Sequence, residues 1–111
     1  MRSLKALARQ VELLARIRDM AKAAGWTLSS GPDRRQVCQF TRRADIVTVS
    51  LEDMTVVSTI LHPVHGRARL TRKDVDLGTL GRIFADPRVH TLLGIERREV
   101  GRHAPARSAE T

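Results

Sequence analysis

Between Gln36 and Arg72 the chain alternates apolar and polar side chains in short runs separated by breaks, the period of two that belongs to half-buried strands. In Gln36–Arg42, Cys38 and Phe40 fall on one face and Val37, Gln39 and Thr41 on the other. Asp45–Leu51 sets Val47, Val49 and Leu51 against Ile46, Thr48 and Ser50, and Met54–Leu61 is dense in β-branched residues that disfavour helix. Only Glu52-Asp53 lies between those two runs. That spacing predicts a hairpin and antiparallel pairing, although Glu-Asp is poor chemistry for a turn that wants positive φ. After His62-Pro63-Val64-His65-Gly66, a loop by composition, Arg67–Thr71 alternates again, with Ala68 and Leu70 inward and Arg67 and Arg69 outward. Trp26–Ser29 predicts a short edge strand closed by the loop Ser30-Gly31-Pro32-Asp33.

Ahead of the strands, Ser3–Ala24 predicts one long helix: Leu4, Leu7, Val11 and Leu14 recur at three and four, and Gly25 is placed to end it. A second apolar line, Leu13, Ile17, Met20 and Ala24, runs along another side, while Arg18 and Lys22 fall on the extension of the first. Two arrangements follow. Either the last turns roll over the sheet, or one line packs on the sheet and the other, carrying Leu13, Ile17 and Met20, meets a second copy or a partner. Trp26, the only tryptophan, is expected as a core anchor at the helix-to-sheet junction.

Beyond the strands, Asp76 is a candidate N-cap for a helix over Leu77–Ala85 whose buried side is Leu77, Leu80, Ile83 and Phe84, weakened by Gly78 and Gly81. Asp86-Pro87 starts another, with Val89, Leu92 and Leu93 apolar and Gly94 as its stop. The pattern therefore predicts an α+β fold: a long N-terminal helix packed on a four- to five-stranded, mainly antiparallel sheet, followed by one or two short helices. Residues 1–100 form one basic domain, and 101–111, with no apolar side chain larger than Ala, form a mobile tail.

Charge adds a direction to this outline. The 111 residues carry 20 Lys and Arg against 12 Asp and Glu, a net +8 that favours polyanionic or acidic partners. Most of the surplus lies in the strand segment, where Arg34, Arg35, Arg42, Arg43, Arg67, Arg69, Arg72 and Lys73 fall at strand ends or on an outward face. They could build a surface that tracks phosphates, or could simply keep edge strands soluble. Arg67 and Arg69 are the strongest pair, because their alternation commits both to one face. The aromatic side chains Trp26, Phe40 and Phe84 all sit in apolar patterns, which argues against base-stacking platforms and leaves duplex binding through backbone charge.

Catalytic chemistry is thin. Cys38 is the single cysteine, so internal disulfides and CxxC metal pairs are excluded and a reducing, cytoplasmic setting fits. No membrane span or secretory h-region is expected. His62, His65 and His90 could supply an open zinc site, but no acidic residue adjoins them to orient a ring, so neither a metal nor another cofactor is expected. The same histidines beside Arg67 and Arg69 could cleave RNA without metal. No phosphate-cradling glycine loop or nucleophile elbow is present, and no catalytic residue is assigned. The leading expectation is a small non-enzymatic binding or regulatory protein for an acidic partner, most simply duplex nucleic acid. The alternatives are a protein-interaction module, as a homodimer or an inhibitor covering an acidic protein surface, and a metal-independent RNase.

Overall fold

A computed structural model describes residues 4–64 and 66–95, with the side chains of residues 6 and 7 excepted. Helix α1 (Leu4–Ala23) leads into five strands, β1 (Thr27–Ser30), β2 (Val37–Arg42), β3 (Asp45–Ser50), β4 (Thr55–His62) and β5 (Gly66–Arg72). Helix α2 (Leu77–Ala85) follows, and α3 is helical from residue 87 to the last described position, 95. The strands pair with their sequence neighbours in the order β1-β2-β3-β4-β5, antiparallel throughout. This is the α+β arrangement expected from the alternation, with β1 and β5 as its two edges. The expected tail at 101–111 lies outside the described residues.

Each strand buries one parity. Cys38, Phe40, Val47, Val49 and Val56 join Ile17 and Ala21 of α1 and Leu80, Ile83 and Phe84 of α2 in one core on a single face of the sheet, and Ile60 is buried at the same parity of β4. The α1 terminus follows from its sequence. Gly25, at φ 86°, lets its own N–H donate to Lys22 O at 3.0 Å and the Trp26 N–H donate to Ala21 O at 2.8 Å, the paired bonds of a Schellman stop. Asp76 caps α2, its carboxylate accepting from the Thr79 N–H at 2.6 Å, and Asp86 caps α3 by accepting from the Val89 N–H at 3.3 Å.

Four expectations change. The line that meets the sheet is Leu13, Ile17, Met20 and Ala24: Ile17 is fully buried in the chain's own core, so it offers no surface to a second copy, and Leu13 and Met20 pack beside it. Leu4 and Val11, expected on the packed line, are 85 % and 69 % exposed, because they lie on the side of α1 opposite Ile17 and Met20. The β3–β4 hairpin has a four-residue loop, since Ser50 pairs with Thr55; Met54 takes the positive φ of 53°, and Asp53 accepts from the Thr55 N–H at 3.0 Å. Gly94 does not stop α3 but lies inside it, against Leu70, where a Cβ would collide. At Gly81, by contrast, a Cβ would only come into ordinary contact, 3.4 Å from Met20 Sδ.

Candidate interaction face

The outward parity of the sheet has no helix upon it among the described residues. Register places Thr41, Ile46, Thr59 and Arg69 in one row across β2 to β5, and Gln39, Thr48, Val57 and Thr71 in the next. The middle of the face is a shallow depression of about 430 Å³ lined by Gln39, Ile46, Thr48, Val57, Thr59, Arg67 and Arg69. Its floor is half-exposed and mostly β-branched, so the side chains have little rotamer freedom to lose when something covers them. Arg67 and Arg69 stand exposed along one rim.

No described carboxylate offsets the charge of this face. Asp45 is the one acidic residue in the five strands, and it points to the helix side, where it is 6 % exposed. There it accepts from the Leu61 N–H at 3.4 Å and lies 4.0 Å from Arg88, whose Nη1 donates to Leu61 O at 2.7 Å. Asp45 and Arg88 thus satisfy β4 where it runs past the end of β3. Among the described residues no ion pair engages Arg67 or Arg69.

The other expected basic residues divide by location. Arg42 turns inward: its Nη1 donates to Ala24 O at 2.8 Å and its guanidinium lies 4.7 Å from the Trp26 ring centroid. Arg72 does the same at the far edge, donating to His90 O at 2.9 Å. Both hold helices to the sheet. Arg34 and Arg35 are exposed in the β1–β2 loop, where Asp33 Oδ1 accepts the N–H groups of Arg35 and Val37 at 2.9 Å each. Lys73 is at that same end of the sheet, whereas Arg43 occupies the two-residue β2–β3 turn at the other. Arg67 and Arg69 alone of the eight lie on the bare face.

The described histidines sit in different elements. His62 Nδ1 accepts from the Val64 N–H at 3.1 Å, His90 is part of α3, and His65 lies outside the described residues. No three His, Cys, Asp or Glu side chains gather as metal ligands among the described residues. Burial pushes the Cys38 thiol above its usual range, with Asp33 adding to the rise and Arg18 opposing it, which makes it a poor nucleophile. Among the described residues, no helix is long and apolar enough to cross a membrane.

Sequence reasoning missed Arg88, which has no distinguishing neighbour in the chain, and the buried Ser58–Thr91 hydroxyl pair, 2.6 Å apart, that seats α3 on β4. Comparison with protein-family models, curated proteins and solved structures gives no match.

Proposed function

We propose that this chain is a non-enzymatic binding protein whose working surface is the bare sheet face, and that its partner is a protein presenting carboxylates beside apolar side chains. One observation carries this reading: Arg67 and Arg69 stand unpaired by any described acid beside the half-exposed Ile46 and Val57, on a face that holds no carboxylate. A phosphate backbone has a use for the arginines and none for the aliphatic floor. An acidic protein surface uses both. The withdrawal of Arg42 and Arg72 into helix-to-sheet bonds also leaves fewer cations than a groove-tracking surface needs.

Duplex nucleic acid is the second reading, favoured by the net +8 and by the same arginine pair. The two separate by experiment. A photo-crosslinking side chain at Thr48, in the middle of the face, should capture a nuclease-resistant protein adduct in the native cytoplasm. A nuclease-sensitive adduct supports the second reading, and the absence of any adduct removes the face as the binding surface. Under the second reading, Arg67→Ser/Arg69→Ser should also shrink the slope of log affinity against log salt by about two units.

A further inference from the structure

Helix α1 is apolar on two opposite sides, and the sheet uses only one. At about 100° per residue, Leu13, Ile17, Met20, Ala21 and Ala24 share the arc that enters the core. Leu4, Ala8, Val11 and Ala15 follow one another at steps of four, three and four and point the opposite way, all of them exposed. A lone exposed leucine is ordinary; a straight seam with this spacing is the pattern by which one helix takes another. Three of the four seam residues lie before Leu13, where no described side chain of α1 belongs to the core, and so short a stretch of helix is marginal in water unless something packs on it.

We propose that this seam joins two copies of the chain, α1 against α1 in antiparallel fashion about a two-fold axis that passes between Arg9 and Gln10. The choice of occupant comes from size and charge. With that axis Leu4 lies opposite Ala15 of the second copy, and Val11 lies opposite Ala8, so every layer sets a large side chain against a small one. Lys5 and Glu12 occupy the same flank of the seam. The two-fold axis brings each Lys5 beside the Glu12 of the other copy, giving two ion pairs of correct sign. Glu12 then lies between that lysine and its own Arg16, whose Nη2 is 3.4 Å away.

A second feature fits the same axis. Ala15 helps to line a groove of about 430 Å³ between α1 and β1, together with Arg18, Lys22, Leu28 and Phe40. Since Leu4 of the second copy faces Ala15, it comes to the mouth of this groove. The contact is isologous, which closes the assembly at two subunits, and it leaves both bare sheet faces free. It does not rest on the proposed binding function.

The test is the mass of the full chain by sedimentation from nanomolar to near-millimolar concentration. Wild type is expected at twice 12.4 kDa at the upper end, and Leu4→Glu/Val11→Glu at the mass of one chain, with an unchanged far-UV spectrum and urea midpoint. Both substituted sites are exposed, so the fold survives them. Lys5→Glu and Glu12→Lys should each weaken the dimer, and the two together should restore it, which only the antiparallel register explains. A wild type that stays monomeric throughout, a dimer that survives Leu4→Glu/Val11→Glu, or a charge swap without restoration would each overturn the proposal.

Discussion

The indole Nε1 of Trp26 donates a 2.8 Å hydrogen bond to the main-chain carbonyl of Phe84, and the two rings meet with centroids 5.5 Å apart. Phe40 closes on Phe84 edge-on at 5.3 Å, and Arg42 lies over the Trp26 ring. The end of α1, strand β2 and the end of α2 are tied through this one residue. Trp26→Phe keeps most of the apolar volume but leaves a carbonyl without its donor, which costs about 2 kcal/mol. Urea unfolding followed by circular dichroism measures it, and Arg42→Lys should lose part of the same stability because an ammonium cannot stack as a planar fork.

Two glycines should respond to alanine with opposite signs. Gly78 is an exposed position in α2, where an added Cβ meets nothing closer than Asp76 Oδ1 at 3.5 Å, so Gly78→Ala should stabilise by about 0.5–1 kcal/mol. Gly31 has φ 93°, and its Cβ would collide with the Val37 carbonyl oxygen. Gly31→Ala should destabilise by more than about 2 kcal/mol. Thermal denaturation of the pair is the measurement.

Arg43 holds φ 55° in the β2–β3 turn, a conformation a side chain resists. Arg43→Gly should therefore stabilise by about 1 kcal/mol, seen as a higher urea midpoint. It should leave partner binding intact, because the guanidinium belongs to the turn and not to the bare face.

Acid sensitivity should trace in part to two loop carboxylates. The N–H of Thr79 holds Asp76 below the usual carboxylate range, and the N–H of Thr55 does the same for Asp53. The folded chain therefore binds these protons later than the unfolded chain does. Their contribution is complete above an unfolded-state pKa of about 3.9 and is lost as pH falls through the lower folded values. Asp76→Asn keeps a good cap at neutral pH, so it should flatten the acid limb of a urea-midpoint profile and change the neutral plateau little.

Much of this fold was legible in the chain, because period-two alternation fixes strands and inward parity together. Cys38 and Phe40 went inward as read, Asp76 capped α2, and Trp26 anchored the junction. The fate of two arginines was present in the same parity: Arg42 keeps step with Phe40, and Arg72 with Leu70, so both turn toward the helices. Position at a strand end hid this. The facing of α1 was not legible, because its two apolar lines have similar weight and only packing against the rest of the core decides between them. Nothing in the local sequence marks Arg88, whose bonds to Leu61 and Asp45 exist only once α3 crosses β4.

The most direct measurement is retention of the partner from a nuclease-treated native extract on immobilised wild type, Arg67→Ser/Arg69→Ser and Val57→Lys. Arg67 and Arg69 are exposed, so their exchange shifts stability by less than about 0.5 kcal/mol; Val57 is half-buried, and circular dichroism checks that each variant remains folded. The same protein should be retained by wild type and lost from both variants, the first through missing charge and the second through a spoiled apolar floor. Retention that nuclease abolishes, or that neither variant alters, would contradict the bare sheet face as a protein-binding surface.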